Sequence, residues 1–175
     1  MRESYRCIAR VEKPHGKYGE VVTVPVHGLP AVLSEGMRVC IVPPRLKGDR
    51  WHEVESCYED GRSGQLVAFS GVESIGDAEE LRGRYILAAE SELPEDIDLH
   101  DVDILMGRDV EDVNEGLLGQ ISEVMVTPAN DVWVVDGEGG EVLLPVIEQV
   151  VRSVPEEGPI VVDATGFLSD WGRGK

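Results

Sequence analysis

The run Arg10-Val-Glu-Lys-Pro-His-Gly-Lys-Tyr-Gly-Glu-Val-Val-Thr-Val24 decides how this chain folds. It reads as a strand ending at Val11, a tight loop from Lys13 to Gly19, and a second strand from Val21 to Val26. Pro14 biases Lys13 towards an extended conformation and has no N–H to give a sheet ladder, so pairing is expected to break there. Gly16 and Gly19 take positive φ at no steric cost, as a sharp strand-to-strand crossing requires. Lys13, His15, Lys17 and the Tyr18 hydroxyl then stand on a backbone with few options. A loop held on a rigid sheet is a frequent contact site, although a solvated barrel turn accounts for the same residues.

Outward from this hairpin, short apolar runs alternate with turns. Tyr5–Val11, Val39–Val42, Trp51–Cys57, Gln65–Phe69 and Tyr85–Ala89 read as strands, parted by segments such as His27-Gly-Leu-Pro30, Pro43-Pro44, the basic loop Arg45–Arg50 and Glu59–Gly64. Many short strands with Gly/Pro turns predict an all-β barrel or sandwich. One short helix interrupts them at Ile75–Gly83, with Asp77 expected as N-cap, Glu80 bonding back and Gly83 as the stop. Residues 91–103 are acidic, contain Pro94 and lack a period, which predicts a linker. The expected division is a first domain at 1–90, the linker at 91–103, a second domain at 104–168 and a frayed tail at 169–175.

The second domain repeats the β pattern. Leu105–Val110, Leu118–Val126, Asp131–Val135, Glu141–Leu144 and Ile160–Asp163 read as strands, with Trp133 expected in the core. Charge separates the halves. Residues 1–95 carry 12 basic and 16 acidic side chains, a net −4, whereas residues 96–175 carry 4 and 18, a net −14. The whole chain is at −18, which excludes nucleic-acid binding by bulk electrostatics and favours a basic protein partner. Cys7, Cys40 and Cys57 are odd in number and widely spaced, as expected of reduced, buried thiols in the cytoplasm. No leader pattern and no run of 18 apolar residues appears, so secretion and membrane spanning are not expected.

The order of several short motifs resembles the RimM family of ribosome maturation factors. In the first domain they are Lys13-Pro-His-Gly16 with Gly19-Glu-Val21, Phe69-Ser-Gly-Val72 and Asp77–Gly83. In the second they are Leu105-Met-Gly107 with Val110, Leu118-Gly119, Asn130-Asp-Val132 with Val134, and Leu144-Pro145 with Ile147. The resemblance implies an N-terminal six-stranded β-barrel and a C-terminal PRC-barrel. It also implies a non-enzymatic factor that binds the head of the immature 30S subunit and assists late assembly and 16S rRNA processing. The implied partners are the basic head protein S19 and the immature subunit with its rRNA. A cytoplasmic monomer without cofactor, metal or membrane is expected.

On this resemblance Lys13, His15, Lys17 and Tyr18 are candidate rRNA or ribosome contacts. His100, Asp101, Asp103, Asn130 and Asp131 are candidate ribosomal-protein contacts. Many members carry a tyrosine pair before the Leu-x-Gly of the second domain, where this chain has Leu99-His-Asp-Val102. An ionic contact through His100, Asp101 and Asp103 replaces it in one reading, and a solvated linker in the other. Asn130-Asp131 equally reads as a turn whose side chains bond their own backbone.

Two rival classes have less in the sequence. Gly61-Arg-Ser-Gly64 lacks the Gly-Lys-Ser/Thr ending of a phosphate loop, no Gly-x-Ser-x-Gly occurs, and His15, His27, His52 and His100 lack metal-ligand spacing. No catalytic residues are therefore assigned. A PRC-barrel scaffold without a ribosomal role would leave the opening hairpin unexplained.

Overall fold

Strand β1 (Tyr5–His15) runs through Pro14 instead of stopping at Val11. Its register with β2 (Glu20–Pro25) slips between Val11 and Lys13 and then resumes as Lys13 with Val22, Pro14 with Val21 and His15 with Glu20. The break expected at Pro14 is thus a bulge beside Glu12. Past Arg10, β1 has no strand partner on its other flank, where β6 (Tyr85–Ala89) has ended. Proline is tolerated in such a stretch because its missing N–H can face away from the ladder.

A computed structural model describes residues 2–44, 49–62, 64–127, 129–169 and 171–172. The chain divides into two units, Met1–Glu95 and Asp96–Lys175. In the first, β3 (Arg38–Val42), β4 (Trp51–Glu59) and β5 (Gln65–Phe69) join the others in a closed barrel of order β1-β2-β5-β4-β3-β6. Ile8, Val11, Val21, Val39, Ile41, Val54, Val67, Phe69 and Ile86 fill it, the β-branched majority suiting a closed pleated surface. Most of the basic loop Arg45–Arg50 lies outside the described residues.

Helix α1 (Ile75–Leu81) starts three residues earlier than an N-cap at Asp77 implies. Ser74 is the N-cap, its Oγ accepting from the Asp77 N–H at 3.1 Å, and the Asp77 carboxylate accepts from the Glu73 N–H at 3.2 Å. Asp77 is therefore the residue that bonds back, not the cap. Seven residues cannot hold a helix alone, and α1 persists by burying Ala78 and Leu81 against the barrel.

The long connection from Val26 to Met37 holds no regular element and is held at Leu33 by the Gln65 amide, with the Cys57 thiol donating to the Leu33 carbonyl at 3.2 Å. The Gln65 amide donates to the Leu33 carbonyl at 2.9 Å and accepts from the Leu33 N–H at 3.2 Å, taking the place of a paired strand. Gln65→Leu leaves both Leu33 groups without these partners and is expected to cost about 2 kcal/mol or more in urea unfolding. A loss under about 0.5 kcal/mol would mean that water replaces the amide.

In the second unit, β7 (Asp109–Asp112), β8 (Gly116–Met125), β9 (Val132–Gly137), β10 (Gly140–Pro145), β11 (Val151–Ser153) and β12 (Ile160–Val162) form a barrel-like sheet that does not close, ordered β10-β9-β8-β7-β12-β11. Trp133 is fully buried among Leu105, Leu118, Ile121, Val135 and Leu144. A Cβ on Gly119 would overlap the Asp136 carbonyl and one on Gly137 would overlap that of Leu118, so β8 and β9 meet backbone to backbone there.

The stretch read as a linker is built of 3-10 turns at Glu90–Glu92 and Ile97–His100 and a one-turn helix, α2 (Val102–Leu105), with Leu93 and Ile97 buried. The fold therefore holds a helical turn in the second unit as well as α1. In the tail read as frayed, Trp171 packs on Gly139 and the Gly172 N–H donates to the Gly139 carbonyl at 2.6 Å.

Candidate functional site

Two surfaces gather the residues singled out by sequence, one on each unit. On the first, cross-strand pairing sets Lys13, Val22, Leu66 and Tyr58 in one row over β1, β2, β5 and β4. His15 stands two residues along from Lys13 on the same face, since strand side chains alternate. Lys13 and His15 line a cleft of about 390 Å³ with Arg62, Val22 and Leu66, and the carboxylates of Glu12, Glu59 and Asp60 share it. Asp60 is partly occupied by its own turn, Oδ1 accepting from the Arg62 and Gly64 N–H groups at 2.8 and 3.2 Å.

Lys17 and Tyr18 lie at the exposed hairpin tip and do not line this cleft, Tyr18 being 81% exposed. Sequence reasoning missed Arg62 and Tyr58. They belong to another hairpin and reach this surface only through the barrel register, for which no local signal exists.

The tip is held from behind. Gly19 has φ +90° and is buried, and a Cβ there would overlap the Val72 carbonyl and lie 2.8 Å from the Glu73 nitrogen. The Phe69–Val72 turn thus forms the seat of the hairpin.

On the second unit, His100 Nδ1 is 2.7 Å from Asp131 Oδ2. Asp131 is only 6% exposed, and its backbone carbonyl accepts from the Val146 N–H, so the pair latches the 97–100 turn to the head of β9. Asp101 is buried and caps α2, its Oδ1 accepting from the N–H groups of Asp103 and Ile104. Asp103 and Asn130 are exposed. The Asn130 N–H donates to Thr127 Oγ1, whose hydroxyl returns a bond to the Asn130 carbonyl. Of the five residues singled out here, Asp101 and Asp131 shape the surface from within.

Beside the latch is a cleft of about 380 Å³ with apolar walls (Leu99, Val146, Ile147, Val151) and carboxylates of Asp96 and Glu148. Such a lining suits the aliphatic stem and charged head of a lysine or arginine. A His–Asp pair is part of a hydrolytic triad, but the other His100 nitrogen faces Asp96 at 3.9 Å, not a nucleophile.

Other reactive groups are tied into structure. His52 is buried with Nδ1 2.7 Å from the Ser70 carbonyl. Cys40 is buried while Cys7 and Cys57 are half-buried, a correction to the expectation of three buried thiols, and desolvation pushes all three thiols above their ordinary range. Among the described residues no cluster of three His, Cys, Asp or Glu could hold a metal. No helix among them is long and apolar enough to cross a membrane.

The RimM N-terminal domain model matches residues 6–93 and the RimM PRC barrel domain model matches residues 102–165. The chain belongs to the RimM family. A ribosome maturation factor RimM from Caldanaerobacter subterraneus subsp. tengcongensis is 30% identical over 159 residues, covering 90% of this chain and 94% of that one. Its counterpart in Ruminiclostridium cellulolyticum is 39% identical over 102 residues, 55% and 59% of the two chains. A Pseudomonas aeruginosa crystal structure described as a putative 16S ribosomal RNA processing protein RimM is 26% identical, covers 91% of this chain and 97% of its own, and has a TM-score of 0.43. Where RimM relatives were expected to carry two tyrosines, this chain has the His100 turn and the capped α2.

Proposed function

We propose that this protein is an accessory factor for late assembly of the small ribosomal subunit. It binds the head of the immature 30S particle through a basic ribosomal protein, S19, and assists 16S rRNA processing without catalysing it. Membership of the RimM family across both units carries this reading. The charge distribution fits it, because a −14 half attracts a basic protein and repels phosphate, and so favours a partner that can be released from rRNA.

In this reading Lys13 and His15, with Arg62 added from the neighbouring hairpin, touch a few rRNA phosphates, and Lys17 and Tyr18 orient the tip. The cleft beside His100 receives a cationic side chain of the ribosomal protein. Asp103 and Asn130, exposed on the segments next to it in sequence, add polar contacts, while Asp101 and Asp131 are buried within the fold. The ionic lining takes the part that aromatic anchors commonly play in interfaces.

Co-sedimentation with immature small subunits at several salt concentrations tests this. Lys13→Glu with Lys17→Glu is expected to weaken binding and to flatten the slope of log K against log[salt] by about one for each phosphate no longer neutralised. An unchanged affinity and slope would remove the hairpin from the interface. Absence of wild-type binding would remove the assembly role itself.

A further inference from the structure

The outer wall of the first barrel carries an aromatic cluster that the Lys13 cleft does not use. Cys7, Leu87, Cys40 and Trp51 are successive cross-strand partners over β1, β6, β3 and β4. Ile8, Val39, Ile41 and Ile86 alternate with them and fill the barrel, so this row faces outwards. Tyr5 and Arg38 stand two residues along on the same face, and Tyr85 pairs with Arg10 and Val42 in the row beyond. Tyr5 is 43% and Tyr85 45% exposed, and Trp51 is half-buried between β3 and solvent.

The cluster is already stacked. The Arg38 guanidinium lies over the Trp51 indole, its carbon 4.2 Å from the ring centre. The Tyr5 ring is tilted by 54° against the same indole at 5.6 Å. Arg38 is exposed, and so presents a flat cation backed by an aromatic ring. With Arg10 and with Arg50, whose charge acts on Cys40, it brings three cations to this wall. Two carboxylates accompany them, Glu53 across from Arg38 and Glu3 beside the Tyr5 hydroxyl. A basic protein would meet these arginines, and a second copy would bring them against one another. Unpaired RNA bases stack on aromatic rings and guanidinium planes, and the phosphates beside them take the cations. Stacking acts at contact and needs little charge, which suits a chain at −18.

We infer that this wall holds an unpaired RNA base, stacked on the Arg38–Trp51 platform with Tyr5 along its edge. Arg50 takes the phosphate beside it and Arg10 one further along the strand. That the RNA is immature rRNA rests on the assembly reading; the platform itself does not. A base inside a duplex has both faces covered by its neighbours and cannot reach such a platform. The wall therefore holds a strand only until it pairs, and releases it when the helix closes. Binding is tied to the unfinished state of the RNA without any catalysis.

The test titrates the full chain with an unstructured RNA oligonucleotide of about 12 residues carrying 5-bromouridine, either single-stranded or annealed to its complement. The single strand is expected to bind about tenfold or more tighter than the duplex, and ultraviolet light to crosslink it to Trp51 or Tyr5. Trp51→Ala should weaken binding about tenfold or more with its salt dependence unchanged, whereas Trp51→Phe should keep most of the affinity. Arg50→Gln should instead flatten the slope of log K against log[salt] by about 0.7. The inference is overturned if the wild-type chain does not bind the single strand, binds the duplex equally well, or crosslinks only elsewhere, as at the Lys13–Tyr18 hairpin. It is equally overturned if a folded Trp51→Ala chain binds as the wild type does. Should that variant not fold, the crosslink site in the wild-type chain decides. Failure of the assembly reading shows separately, as absence of binding to immature particles by a chain that still binds the oligonucleotide.

Discussion

Gly19→Ala is expected to destabilise the first unit by about 3 kcal/mol and to loosen the Lys13–Tyr18 hairpin from its seat. Two costs add at this position. The backbone has φ +90°, a conformation that costs a side chain about 1–2 kcal/mol. The new methyl must also overlap the Val72 carbonyl, and backbone does not give way as the end of a flexible side chain does. Overpacking of this kind costs about 1–3 kcal/mol. Hydrogen exchange on the full chain locates the damage, with faster exchange expected through Glu20–Thr23 and the 71–73 turn. Gly16→Ala is the control, because Gly16 has positive φ but nothing within 4 Å of its missing Cβ. It should cost only the backbone share. Equal effects at the two glycines would show that the close approach to Val72 has no energetic weight.

Asp112→Ala should be at least as damaging, at about 3–5 kcal/mol, and confined to the second unit. Asp112 is 2% exposed and holds three backbone donors. Oδ1 accepts from the Asn114 and Glu115 N–H groups at 2.9 Å each, and Oδ2 accepts from the Ala164 N–H at 2.7 Å. One carboxylate therefore closes the β7–β8 turn and anchors the chain leaving β12, segments 52 residues apart. Hydrogen bonds to a charged group contribute about 1.5–3 kcal/mol each, and the buried Ala164 N–H would have no replacement partner. Asp112→Asn keeps a single acceptor oxygen and should recover about half of the loss. Urea unfolding measures both variants, and exchange at the Ala164 amide reports the anchor directly. An alanine variant within about 0.5 kcal/mol of the wild-type chain would refute this role.

Neither position announces, in its sequence context, the role it holds. Gly19 is legible as a turn glycine, but its close approach to Val72 depends on a turn far along the chain. Asp112 sits before Asn114-Glu-Gly116, which reads only as a turn; its bond to Ala164 needs the parallel pairing of β7 with β12. The same limit explains Pro14, where local chemistry favours a break and the open flank of β1 removes the reason for one.

What the residue string determined by itself was everything carried by short-range chemistry and by order. Alternating β-branched runs and Gly/Pro turns made both units sheets, the acidic excess of residues 96–175 set the charge of that half, and the spaced motifs named the family. What only the tertiary structure decided was which side chains share a surface. Lys13 shares a cleft with Arg62, and His100 pairs with Asp131, through strand register and sheet order. Register is fixed by burial of a whole face at once, a sum over many distant residues, and so no local stretch encodes it.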